Sequence, residues 1–220
     1  MNLDPNELRR LVKISLWFGL GIFAGLAACN VFSVASLAAL KWLATVAGFV
    51  LGLWSFYFSW GWRIPLLRRV LPRPNLNGTW LGCIRSDWRD ETGANPGPIR
   101  IVMVVRQTFL CMHVHTFTRQ LEASSYSCNF LPIGHMPSGR LALLYVEHPP
   151  FASARPAHRG AEELRIISRP SYWLEGEYWT NRQTSGIISL RFVSRQRVET
   201  LRDAQDRWPE ASAWPELPTA

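Results

Sequence analysis

The hydrophobic rhythm of the chain changes once, near residue 73. Before that point apolar residues dominate. No charge lies in the 27 residues between Lys13 and Lys41, nor in the 21 between Lys41 and Arg63. Each run reaches the roughly 20 residues needed to cross a bilayer core as a helix. One helix through both would be too long, and Asn30–Ser36 reads as a short loop. The pattern therefore predicts two transmembrane helices in a hairpin, about Leu11–Cys29 and Lys41–Trp62. A cleaved signal peptide fits less well, because its apolar region would be shorter and a second apolar run follows directly. After ProArgProAsn (Pro72–Asn75) the period becomes two. Eight strands are predicted: Gly78–Arg85, Ile99–Gln107, Leu110–Thr118, Glu122–Leu131, Arg140–Glu147, Ala161–Ser168, Tyr172–Thr180 and Gly186–Ser194. Turn-rich pieces such as Thr92–Pro98 and Pro137–Gly139 separate them.

Eight successive strands with short links predict a small up-and-down β-barrel, whose interior is filled by side chains or one small ligand. A β-sandwich is the alternative. AsnGlyThrTrp (Asn77–Trp80) resembles the GxW opening of lipocalin-type barrels. Alternation points Ile101, Met103, Val105 and Gln107 inward, then Leu110, Met112, Val114, Thr116 and Thr118. Leu174, Gly176, Tyr178 and Thr180 follow, then Ile188, Leu190 and Phe192, while Glu175, Glu177 and Arg191 face out. The inward sets turn polar at one end, at Gln107, at Thr116 and Thr118, and at Tyr178 and Thr180. A ligand mouth needs such an end, although a barrel end open to water would look the same.

Charge divides the chain into three parts. Residues 1–73, the two-helix anchor, hold eight basic and two acidic residues; the barrel, 74–196, holds 13 and 9; the tail, 197–220, holds 3 and 5. Arg9, Arg10 and Lys13 precede the first span, and Arg63, Arg68, Arg69 and Arg73 follow the second. Lys41 is alone between them. By the positive-inside rule both termini of this multi-pass chain are cytoplasmic. Several of Trp17, Trp42, Trp54, Trp60 and Trp62 fall near the expected interfaces. Small residues recur four apart at Gly21 and Gly25, at Ala24 and Ala28, and at Ala44, Gly48 and Gly52. Such ridges pack helices closely, within one chain or between copies. The spans carry no charge that would mark an ion pathway. Arg supplies 22 of the 24 positive charges. That suits planar recognition of phosphate and carboxylate, and equally follows from GC-rich codons. Cys29, Cys83, Cys111 and Cys128 lack metal spacing and read as buried free thiols.

Catalytic chemistry is poorly supported, and no enzyme is expected. His113 and His115 share a strand face, but no acidic or Cys partner has matching spacing. Glu175 and Glu177 fall on a solvated face. No nucleophile elbow, Walker loop, dinucleotide fingerprint or HExxH motif occurs, and no metal or cofactor is implied. What remains is basic, aromatic and hydroxyl-rich. His158, Arg159 and Arg182 can donate to phosphates. Tyr126, Tyr145 and Tyr178 can stack on bases. Thr116, Thr180 and Thr184 can hydrogen-bond a polar ligand. The stretch Asn181–Ser185 also reads as a simple polar hairpin loop.

Two membrane helices lead into a β-rich domain carrying LeuLeuTyrValGluHisPro (Leu143–Pro149), HisArgGlyAlaGlu (His158–Glu162) and LeuGluGlyGluTyrTrpThrAsnArgGlnThrSerGly (Leu174–Gly186). This combination resembles the two-transmembrane, β-strand-rich effectors of bacterial CBASS anti-phage systems, over roughly residues 10–195. The resemblance implies a cytoplasmic barrel that binds a cyclic dinucleotide made by a partner CD-NTase. It also implies a place in the bacterial inner membrane, homo-oligomerisation through the membrane helices and disruption of that lipid bilayer, killing the infected cell. Ligand at the mouth would reorder the loops around Arg159 and Arg182. No nucleic acid polymer is expected as a partner. The sequence departs at Ala161, where family members are expected to carry a hydroxyl, and in the tail, Arg197–Ala220, which reads as a short helix (about Val198–Arg207) or as disorder. Other readings are a membrane-anchored barrel for a lipid or another apolar ligand, and a non-catalytic membrane assembly protein.

Overall fold

The computed structural model describes residues 5–28, 36–89, 92–95, 97–132, 139–148, 157–168, 172–210 and 214. It divides into two compact units. One comprises Asn2–Asn75 with Thr108–Leu110, and the other Leu76–Gln107 with Cys111–Ala220.

The first unit holds two helices, α1 (Pro5–Ala28) and α2 (Ser36–Ser59), and the short 3-10 turns Gly61–Arg63 and Leu67–Arg69. The predicted loop at Asn30–Ser36 lies outside the described residues, apart from Ser36, which begins α2. Among the described residues, Lys41–Ser59 is the one segment long and apolar enough to cross a membrane. The helices touch through Trp54 Nε1, which donates to Ser15 Oγ at 2.8 Å, and where Gly19 lies against Val46. The glycine ridges are elsewhere. A Cβ added at Gly21, Gly25, Gly48 or Gly52 would meet nothing within 4 Å, so among the described residues these positions are not where the two helices touch. Tyr57, Trp62, Leu71 and Phe109 form the unit's core. Arg73, 5% exposed, donates to Glu7 Oε2 at 2.6 Å and to the Phe109 carbonyl at 2.7 Å. This flanking arginine is therefore held by a structural ion pair, which a count of flanking charges cannot reveal.

The second unit is a closed barrel of eight antiparallel strands, each paired with the next and the last with the first. They are β1 (Gly78–Ser86), β2 (Ile99–Gln107), β3 (Met112–Phe117), β4 (Glu122–Pro132), β5 (Gly139–His148), β6 (His158–Ile167), β7 (Trp173–Thr180) and β8 (Ser185–Ser194). The predicted strands match within a few residues, because one apolar face per strand sets both period and extent. Two face assignments change. Leu110 is 43% exposed in the β2–β3 turn, and Thr118 turns the chain between β3 and β4. Cys83 and Cys128 are buried free thiols as expected, but Cys111, at that same β2–β3 turn, is exposed.

Trp80, Ile101, Met103, Leu141, Leu164, Leu174 and Leu190 fill the interior. Strand β1 is buried on both faces, since Leu81 on its outer side packs with Val102 and Val104 of β2 under the C-terminal segment. That segment forms α3 (Leu201–Arg207), capped by Thr200, whose side chain accepts from Asp203 N. Val198, Ala204 and Trp214 bury their apolar surface against the strands, and Arg100 lies over the Trp214 ring at 5.3 Å. The described part of the tail is thus a cover for β1 and β2.

Candidate ligand-binding site

Register assigns every inward residue to one of two barrel ends. The first is where the chain enters, at Asn77. Here Asn77 Nδ2 donates to the Gln107 carbonyl at 2.8 Å, and Gln107 N donates to Asn77 Oδ1 at 2.7 Å. Gln107 Oε1 accepts from Leu76 N at 2.8 Å, and Trp80 Nε1 donates to the Leu76 carbonyl at 2.9 Å. Gly78 has φ +124°, and a Cβ there would sit 2.2 Å from the Ser194 carbonyl oxygen, which explains the Gly in the GxW opening. Gln107 was expected at the ligand mouth. It stands at the opposite end from Thr116, Tyr178 and Thr180, because β2 runs antiparallel to β1 and finishes where β1 begins. Parity places a residue inside a barrel, but only pairing places it along the axis.

The second end gathers the starts of β6 and β8 with the finishes of β1, β5 and β7. His158, Arg159 and Gly160 meet the β7–β8 turn here. Asn181 N donates to the Arg159 carbonyl at 2.9 Å, and Arg159 N donates to Asn181 Oδ1 at 3.1 Å. The turn is braced by Thr180 and Thr184, whose hydroxyls lie 2.7 Å apart, while Thr180 Oγ1 accepts from Arg182 N at 3.2 Å. Gln183 takes the left-handed φ of 60° that the tight turn requires. Beside it, Ser185 N and Oγ both donate to the Asp87 carboxylate, and these bonds hold the Asp87 carboxyl below its usual range. Two motifs that lie about 20 residues apart in sequence thus form one rim.

Inside that rim, Tyr178 Oη donates to Ser86 Oγ at 2.6 Å. Tyr145 is buried and packs over Gly160, where a Cβ would come 2.3 Å from its hydroxyl. Gly186 likewise leaves room for the Tyr178 ring, 2.6 Å from where its Cβ would stand. Thr116 is also inward and buried, paired with Met103 and Ala123, four strands round from β7. Tyr126 is not brought to this group. A bulge between Ser125 and Ser127 takes it out of the alternation, and it is 59% exposed. Arg159 and Ala161 flank inward Gly160, so both side chains face outward: Arg159 is exposed on the barrel's outer side, and a hydroxyl at position 161 would not line the interior.

Two inward acids went unnoticed in the sequence. Glu147 contacts His158, and Glu162 is 6% exposed with its Oε2 lacking a hydrogen-bond partner. Burial pushes Glu147 up to about 7, opposed by Arg182. Burial and then Glu147 push Glu162 up to about 8. Burial, aided by Arg182, lowers His158. The Glu147–His158 contact is therefore a meeting of groups that both favour the neutral form, not a full ion pair. The electrostatic reach of Arg182 to both residues places its cation at this rim. The missed acids did carry a signal. Leu141, Leu143 and Tyr145 share the parity of Glu147, and Leu164 and Ile166 share that of Glu162.

His113 is exposed on the outer face, and His115 Nδ1 lies 3.2 Å from Ser124 Oγ. Among the described residues no group of three His, Cys, Asp or Glu is arranged to hold a metal ion.

Residues 71–191 match the family described as Cap15, cyclic dinucleotide receptor domain. CD-NTase-associated protein 15 of Staphylococcus schleiferi is 22% identical over 190 residues, covering 84% of this chain and 97% of that relative.

Proposed function

The chain belongs to the Cap15 cyclic dinucleotide receptor family of CBASS effectors, and we propose that its ligand binds at the His158 end of the barrel. The observation that carries this is the joining of His158–Gly160 to the Thr180–Ser185 turn through Asn181, with Arg182 beside a polar interior. Arg182 supplies planar donors for the phosphates. Tyr145 and Tyr178 supply flat walls for bases, and Thr180 and Thr184 hydroxyls for polar ligand groups. A lipid or other apolar ligand is a poorer fit, since it needs an apolar mouth and this one holds Glu147, His158, Glu162 and Tyr178.

Both α1 and α2 cross the inner membrane in this proposal, with the termini in the cytoplasm. Their unpacked glycine ridges supply the face on which copies of the chain assemble, and assembly breaches the bilayer. Ligand drives this only by binding the assembled state more tightly than the resting one. Full-length protein in detergent, titrated with a panel of cyclic dinucleotides, tests the receptor step. Wild type is expected to bind at least one, and Arg182→Ala to bind it at least about ten-fold more weakly with the fold intact. A wild type that binds none rejects the reading. Cross-linking in membranes tests assembly, with ligand-dependent oligomers in wild type and none in a Gly48→Leu, Gly52→Leu variant.

A further inference from the structure

A site for phosphates has no evident need of carboxyl groups, yet this end of the barrel buries two. Alternation carries Glu147 inward after Tyr145 and carries Glu162 inward before Leu164. Glu162 Oε2 is sealed from water without a donor. Such an acceptor is costly, and an apolar residue at the same place would pack without that cost. A buried unpaired oxygen is explained when a ligand brings the missing N–H.

We propose that Glu147 and Glu162 are the base-reading element of the site, accepting N–H donors from a guanine of the bound cyclic dinucleotide. The inference rests on the receptor reading above. Guanine presents N1–H and the N2 amine side by side. Two parallel donors match the two oxygens of one carboxylate, as a guanidinium does. Adenine sets its amine beside the N1 acceptor, whose lone pair repels an ionised carboxylate and is met by the O–H of the neutral acid, so guanine is favoured over adenine where the acids are ionised, above about pH 8. Uracil offers one donor between two acceptors. The rings of Tyr145 and Tyr178 stand next to the acids, in space left open by Gly160 and Gly186. The phosphates stay at the rim with Arg182.

This arrangement also explains how acids tolerate an anionic ligand. Burial holds Glu147 up at about 7 and Glu162 up at about 8, so the empty site carries little negative charge near neutral pH. Among the described residues, the other titratable or charged groups facing the pair are Tyr145, Tyr178, Cys128, His158 and Arg182. Guanine donors favour the ionised acid, and the proton it held passes to solvent on binding.

The test is calorimetry on the full-length protein in detergent with cyclic di-GMP, cyclic di-AMP and cyclic di-IMP, in 3′,3′ and 3′,2′ linkages. Hypoxanthine keeps N1–H and lacks the N2 amine. At pH 8.5, where the acids ionise, cyclic di-GMP is expected to bind about ten-fold more tightly than either competitor, and its margin over cyclic di-AMP is expected to narrow at pH 6. Its binding enthalpy is expected to vary with the buffer's ionisation enthalpy, reporting proton release. Glu147→Gln and Glu162→Gln are expected to shift the preference towards adenine, because an amide offers the donor and acceptor that adenine needs. Equal affinity for cyclic di-GMP and cyclic di-IMP in wild type overturns the inference, whether or not the variants fold. So does a guanine preference unchanged in both variants. Tighter binding of cyclic di-AMP overturns the base reading and leaves the receptor reading standing. Binding of no cyclic dinucleotide overturns both.

Discussion

The two ends of the barrel are both polar, yet they differ in how completely their polar groups are matched. At the Asn77 end the Asn77 amide hydrogen-bonds the Gln107 backbone and the Gln107 amide accepts from Leu76 N, over a fully buried Trp80. At the His158 end a carboxylate oxygen is buried without a donor, and two acids and a histidine sit away from their ordinary protonation equilibria. Satisfied polar groups close a structure, whereas unsatisfied ones mark where something is to be received. The contrast teaches that polarity alone does not tell the two ends apart, and that hydrogen-bond completeness does.

If the contrast is right, substitutions at the Asn77 end act on stability and those at the His158 end act on binding. The largest effect is expected from Trp80→Ala, which empties the closed end and costs about 3–5 kcal/mol in denaturant unfolding. A cost under about 1 kcal/mol would break the picture of a plugged end. Gly160→Ala comes next. Its Cβ would lie 2.3 Å from the Tyr145 hydroxyl and 2.8 Å from the Trp179 carbonyl oxygen, so Tyr145 must move. About 1–3 kcal/mol of stability is lost, together with ligand binding. Asn77→Ala strands the Gln107 backbone groups and costs about 1–3 kcal/mol, with cyclic dinucleotide affinity unchanged. An equal loss of affinity would show that the ends are not separable. Arg182→Ala is the opposite case: exposed in its turn, it changes stability by less than about 0.5 kcal/mol while binding falls.

The pH response sharpens the same comparison. Glu162 rises from 4.5 to about 8, through burial first and Glu147 second. Between those values the folded barrel keeps a proton that the unfolded chain has released. The stabilisation from the neutral acid is therefore complete below about pH 4.5 and is lost as pH climbs through about 8. The melting temperature is expected to fall across this window in wild type and to fall less in Glu162→Gln. Parallel profiles would remove Glu162 from the account. Glu147, raised in the same way, keeps its own share of the slope.

Much of the fold was legible because a barrel strand is the simplest of patterns. Ile99–Gln107 was read to the residue, since its apolar alternation ends in turn signals on both sides. The double burial of Val102 and Val104 was not legible. It depends on α3 and Trp214 returning to β1 and β2 from about 100 residues away. The glycine ridges were legible as ridges, but their separation from the α1–α2 contact was visible only once the helices were placed.

The candidate site divides in the same way. The residues His158, Arg159, Tyr178, Thr180, Arg182 and Thr184 could be named from chemistry alone. That they share a rim was decided by Asn181 bonding to Arg159 across β6 and β7. Alternation by itself determined which side chains enter the barrel, because the pleat has period two whatever its neighbours are. Only the closed tertiary structure decided the rest. Pairing register sent Gln107 to one end and Thr116 to the other. Burial among eight strands turned Glu147 and Glu162 from two ordinary acids into groups that hold their protons near neutral pH.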